Sequence, residues 1–168
     1  MSDTKASTKS LPHFNEPPHV MIVEGRFYDD VSDRLLLGTK EVLERAGATY
    51  EVYEVPGALE IPAAIQFAVR GLDFYTARKR FDAYIALGCV IRGETTHYEI
   101  VAGESARGLM EVSVRHTLCV GNGILTCETK EQAIKRADPA QSNKGGHAAM
   151  TALKMLELKS RFGIYPRS

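Results

Sequence analysis

The 168-residue chain has no tryptophan, only three cysteines, and no apolar run near the roughly 18 residues that span a bilayer. Cys89, Cys119 and Cys127 form no CxxC pair and no even set, which excludes a disulfide-stapled fold. Cys89 and Cys119 lie in apolar runs, where cysteine is ordinarily a small hydrophobe. The five histidines show no HExxH or comparable spacing, so no metal site is expected. Net charge is lacking too: 21 Lys+Arg balance 21 Asp+Glu, which argues against nucleic acid or an anionic membrane as partner. The first residues lack the apolar centre of a signal peptide, so the expected setting is cytoplasmic.

What is present is an alternation of short apolar runs and helical patterns. Residues 1–18 are polar, carry Pro12, Pro17 and Pro18, and read as an extended N-terminal arm, either disordered or pinned to a neighbouring subunit. Residues 19–168 read as a single α/β domain. A first strand spans 19–24. A helix follows from Asp29 or Asp30 through Val31, Leu35, Val42 and Leu43 to a stop at Gly47. A second strand covers 49–55. Pro62 suits the first turn of a second helix, whose stripe of Ile61, Ile65, Ala68 and Val69 runs to Gly71. Residues 72–80 are a basic and aromatic connector. Strand four is expected over 117–125, a short helix capped by Thr126 runs to Ala137, and Asn143 caps a last helix to about Lys159. Short connections between alternating strands and helices predict a three-layer, flavodoxin-like fold, with a four-stranded parallel sheet in the order 2-1-3-4 and helices on both faces.

The most informative stretch is 81–116. An apolar run, Ala83 to Ile91, has the length of a buried strand. The turn Arg92-Gly93-Glu94-Thr95-Thr96 leads to His97, and Thr96 with Glu99 has the spacing of a capping box, which makes His97 the first residue of a helix. A tight turn into a helix N-terminus suits an anion, and histidine suits proton movement near neutrality. A phosphorylated small molecule is therefore expected there. Parallel strands would bring four turns to one crevice: Arg26-Phe27-Tyr28, Gly57-Ala58-Leu59-Glu60, 89–97 and Leu125-Thr126. Phe27 offers a stacking face for a planar heterocycle. Glu60 either complements a helix dipole or accepts ligand hydroxyls, and Arg136 either satisfies helix carbonyls or grips phosphate; by themselves the residues favour the structural role for both.

Other chemistries of such folds fail on the residues. A receiver domain has its acidic pair in Asp29-Asp30 but lacks an aspartate ending strand three. Gly121-Asn122-Gly123 lacks the third glycine and following helix of a dinucleotide site. No GxxxxGK[ST] loop or GxSxG elbow occurs.

The blocks 55–62 (VPGALEIP), 87–99 (LGCVIRGETTHYE), 123–126 (GILT) and 132–137 (QAIKRA) closely resemble the 6,7-dimethyl-8-ribityllumazine synthase family, in the family's order, over about 19–158. The resemblance implies an enzyme of riboflavin biosynthesis that condenses 5-amino-6-(D-ribitylamino)uracil with 3,4-dihydroxy-2-butanone 4-phosphate, without a cofactor. It implies His97 as the proton-transfer residue and Phe27 as the aromatic stacked on the pyrimidine. Ala58, Leu59 and Glu60 would meet the ribityl chain, and Cys89, Val90 and Ile91 the uracil edge. Glu94 and Thr95 would cradle the phosphate, Arg136 would clamp it, and Lys144 would lie near the ligand. The chain departs from the family in four places. Asn122 stands where many members place an aromatic, Tyr28 replaces the usual asparagine, 72–80 is long, and 138–141 replaces a Gly- and Lys-containing kink. Asn122 supports a second reading, a catalytically weak paralogue that carries lumazine or flavin. The family also implies a homo-oligomer with active sites between subunits. The altered kink favours a pentamer or pair of pentamers over a 60-subunit shell.

Overall fold

A computed structural model describes residues 10–74 and 81–164. Four parallel strands, β1 (His19–Gly25), β2 (Thr49–Val55), β3 (Ala83–Ile91) and β4 (Val120–Cys127), form one sheet in the order β2-β1-β3-β4. The helices α1 (Asp29–Arg45), α4 (Lys130–Ala137) and α5 (Lys144–Arg161) cover one face. The helices α2 (Ile61–Phe74) and α3 (His97–His116) cover the other. The expected three layers and strand order are those observed.

β3 is buried on both faces through Val90, which is why its sequence reads as a continuous apolar run rather than an alternation. Val31, Leu35, Val42 and Leu43 pack α1 onto one face, and the fully buried Ile61 and Ile65 pack α2 onto the other, each contributing about 1.5–3 kcal/mol. The two glycines of β4 belong to packing: a Cβ on Gly121 would stand 2.0 Å from the Ala148 carbonyl oxygen, so α5 can lie directly on the strand.

Several boundaries differ from the sequence expectation, each for a local reason. Thr117 adopts a left-handed conformation (φ 56°) that ends α3, so β4 begins at Val120 rather than 117. At its other end β4 runs to Cys127 because Ile91 pairs with it and the Arg92 amide donates to the Cys127 carbonyl. Thr126 is thereby held in the strand, and Thr129 caps α4 instead, its hydroxyl accepting from the Gln132 amide at 3.3 Å. Asn143 caps α5 as expected, accepting from the Gly146 amide at 3.0 Å. α2 continues through Gly71 to Phe74, and the rest of the connector, 75–80, lies outside the described residues. Residues 1–9 of the arm do too. Where an unpacked arm is expected, however, Leu11 and Phe14 lie half-buried against the α1–α5 cluster. Among the described residues no helix is long and apolar enough to cross a membrane, and no group of three or more His, Cys, Asp or Glu is placed to hold a metal.

Candidate active site

The carboxyl ends of β1, β2 and β3 open into a cavity of about 420 Å³. The β1–α1 turn supplies Phe27 and Tyr28. The β2–α2 connection supplies the run from Pro56 to Glu60, β3 supplies Cys89, Val90 and Ile91, and α3 supplies His97 and Val101. Eight of the residues singled out from sequence therefore line one space: Phe27, Ala58, Leu59, Glu60, Cys89, Val90, Ile91 and His97. A second hollow, about 500 Å³, lies between β2 and α2 beside Tyr53, Phe67 and Phe81. Its lining contains neither His97 nor the end of β3.

Main-chain contact fixes the first wall. A Cβ on Gly25 would come within 2.8 Å of the Gly57 carbonyl carbon and 3.0 Å of the Ala58 nitrogen. Only glycine allows the end of β1 to touch the turn after β2 at that range. The Phe27 amide then donates to the Gly25 carbonyl at 3.1 Å, and the Tyr28 carbonyl accepts from the amides of Val31 and Ser32 as α1 begins. Phe27 is left 73% exposed, its ring meeting that of Tyr28 edge-on at 5.0 Å. A large apolar ring so exposed inside a concavity is a face for a flat ligand. After β2, the 3₁₀ turn Ala58–Glu60 leads into α2 and lays the Glu60 carboxylate over Gly57.

The second wall comes from β3 and α3. Burial, reinforced by the neighbouring Cys127 and by Asp30, pushes the Cys89 thiol up to about 12. Burial raises the Cys127 thiol as well. Both are protonated at neutral pH, so Cys89 lines the space as a small hydrophobe and not as a nucleophile. His97 opens α3 as expected, but the capping box does not form. The Thr96 side chain caps nothing, and the Glu99 carboxylate is taken by Arg92. Arg92 also donates to Glu128 at 2.9 Å and lies 4.2 Å over the Tyr98 ring. It thus ties the turn at 92–96 to both α3 and the end of β4. The arginine pulls the Glu99 carboxylate below its usual range.

The remaining predicted residues stand outside this lining. Glu94 and Thr95 are exposed in the turn, with the Thr95 hydroxyl accepting from the His97 amide at 3.4 Å. Arg136 is half-buried on α4 and donates to the Gln132 carbonyl at 3.4 Å; its charge lowers the Cys127 thiol against the effect of burial, which places it beside the end of β4. Asn122 is exposed on β4 and turns its Oδ1 to the Ile124 amide at 2.9 Å. Lys144 is exposed in the first turn of α5. Val101 was missed by the sequence reading, although it lies four residues beyond His97 and so on the same helix face.

A strand-lined cavity with one histidine at a helix start and one exposed aromatic opposite narrows the chemistry, and comparison with known proteins decides the family. The family model for 6,7-dimethyl-8-ribityllumazine synthase matches residues 17–160. The chain belongs to this family. It is 55% identical to 6,7-dimethyl-8-ribityllumazine synthase 1 of Rhizobium meliloti (strain 1021), over 88% of this chain and 95% of that protein. It is also 55% identical to the synthase of Agrobacterium fabrum (strain C58 / ATCC 33970), over 87% and 97% of the respective lengths. With the synthase of Bartonella henselae (strain ATCC 49882 / DSM 28221 / CCUG 30454 / Houston 1) the identity is 54%, over 86% and 90%.

Proposed function

We propose that the protein condenses 5-amino-6-(D-ribitylamino)uracil with 3,4-dihydroxy-2-butanone 4-phosphate, giving 6,7-dimethyl-8-ribityllumazine, inorganic phosphate and water, the penultimate step of riboflavin biosynthesis. The observation that carries it is the sharing of one cavity by His97 at the start of α3 and by Phe27, Glu60 and the end of β3. In this reading the pyrimidine lies on Phe27 with its edge toward the backbone of Cys89, Val90 and Ile91. Its ribityl chain runs along Ala58 and Leu59 to Glu60. The phosphate sits on the turn at Glu94 and Thr95 with Arg136 as its countercharge, and Lys144 and Asn122 approach from the β4 and α5 side.

The reaction joins an amine to a ketone. Water leaves to give the imine, elimination expels phosphate, and the second amine attacks the remaining carbonyl and closes the ring with loss of a second water. Each step moves a proton and none needs a strong nucleophile, so holding the two substrates together and one imidazole for the transfers supply the catalysis. The family resemblance implies no cofactor. Exposed apolar side chains support assembly into a homo-oligomer with sites between subunits, expected as a pentamer or a pair of pentamers. They include Val52 and Tyr53 on edge strand β2 and Ile100, Met110 and Val114 on α3. The proposed setting is the cytoplasm.

The test is to mix the two substrates with the protein and follow lumazine fluorescence. Appearance of lumazine is expected. Pyrimidine binding without product would establish instead the carrier reading, which has Asn122 as its only support and is not favoured.

A further inference from the structure

β1 reads His-Val-Met-Ile-Val-Glu-Gly, and its apolar run ends in a carboxylate, Glu24, that is 5% exposed. A charge at that depth loses hydration that an apolar side chain would not miss, so it needs a partner. The partner is Arg26, two residues on. Its Nη1 donates to both Glu24 oxygens at 3.4 Å, while its Nη2 reaches Asp33 on α1 at 2.5 Å and Asp29 at 3.3 Å. The guanidinium fork therefore holds the strand end and the first turns of α1 at once, which a single ammonium cannot do with the same planarity. Between the two gripped residues sits Gly25, pressed on Gly57, and immediately after them comes Phe27. The turn that presents the ring to the cavity is clamped on the α1 side by charge and on the β2 side by main-chain contact.

We infer that Glu24, acting through Arg26, is a positioning residue for the pyrimidine: it fixes the turn that aims Phe27 into the cavity. This rests on the reading of Phe27 as the stacking face. Neither Glu24 nor Arg26 lines the cavity, so their effect passes through the turn.

The experiment is steady-state kinetics with both substrates on Glu24→Leu and Glu24→Gln, each also combined with Phe27→Ala. Leucine fills the space and accepts nothing, whereas glutamine keeps a weakened acceptor and guards against misfolding of the first variant. The pyrimidine KM is expected to rise about tenfold in Glu24→Leu and about threefold in Glu24→Gln, as loss or weakening of a hydrogen bond to a charged group implies. The turnover number and the KM for the phosphorylated ketone stay near native. In the Phe27→Ala background the same changes add nothing further to the pyrimidine KM, the signature of two residues acting as one unit. A native pyrimidine KM in both Glu24 variants, or a rise that persists in full without the ring, overturns this inference alone. Loss of turnover with no selective rise in the pyrimidine KM assigns Glu24 to general stability and overturns it as well. An unchanged pyrimidine KM in Phe27→Ala by itself removes the stacking reading, and this inference with it.

Discussion

The two halves of the proposed site are built differently. On the β1–β2 side, Phe27 and the Gly57–Glu60 turn are set by strand ends that touch through glycine backbone and by an arginine gripped from two directions. In the other half, Glu94 and Thr95 are exposed in the turn before α3, Lys144 is exposed at the start of α5, Arg136 is half-buried on α4, and none of them lines the cavity. Placement by main chain requires no further ordering, whereas long side chains on turns and helix ends keep rotamer freedom until something engages them. The proposed pyrimidine half is thus preorganised within one chain. The proposed phosphate half is a set of groups on separate elements, which a ligand or a neighbouring subunit would have to draw in.

The largest effect should come where the halves meet. Replacing His97 by alanine removes the one imidazole in the cavity, and the turnover number should fall about 100-fold or more, the usual scale of general acid–base catalysis. The KM values of both substrates should move only a few-fold. Steady-state kinetics on the purified variant checks this, and native turnover would remove His97 from the mechanism.

Gly25→Ala attacks the preorganised side alone. The new Cβ has only backbone of Gly57 and Ala58 to push against, so the walls must part at a cost of about 1–3 kcal/mol. Denaturant unfolding should show that loss, with a weakened pyrimidine KM and little change for the phosphorylated ketone. Unaltered stability would mean that the contact between the two turns is looser than described.

The smallest effect is expected at Cys89. Its thiol, pushed up to about 12, carries no thiolate at neutral pH, so Cys89→Ala should leave turnover within about threefold of native. The sign of the linkage is fixed by the raised value. The folded state holds the proton more tightly than the unfolded one, so this contribution is fully present below the ordinary thiol value of 9.0 and is lost as pH climbs from there towards about 12. Denaturant unfolding across that range should lose part of its alkaline slope in Cys89→Ala. Rapid alkylation of folded protein at Cys89 near neutrality would contradict the assignment.

How much of this was legible in the sequence follows from the kind of signal. β3 and the start of α3 are marked by local features, an apolar run bounded by polar residues and a turn before a periodic helix, and both stand where expected. The ends of β4 were not, because they are set by pairing with β3 and by a left-handed Thr117. Thr126 and Thr129 are equally good caps in isolation, and only the strand pairing of Thr126 chooses between them. The Thr96–Glu99 box was legible and did not form, because Arg92, seven residues before Glu99, competes for the carboxylate. Phe27 and Glu60 could be placed at the crevice from strand order alone. The ties of Glu24 to Arg26 and of Arg26 to Asp33 could not, because they depend on which face of β1 meets α1.

The most direct test of the division into two halves is a two-by-two measurement, the KM of each substrate in Phe27→Ala and in Arg136→Ala. Phe27→Ala should raise the KM of the ribitylaminouracil about tenfold and spare the phosphorylated ketone, as expected for a lost stacking face. Arg136→Ala should do the reverse, by about tenfold or more for a charge-assisted phosphate contact. Variants that raise both KM values together, or an Arg136→Ala enzyme that captures the phosphorylated ketone as well as the native protein does, would contradict the account.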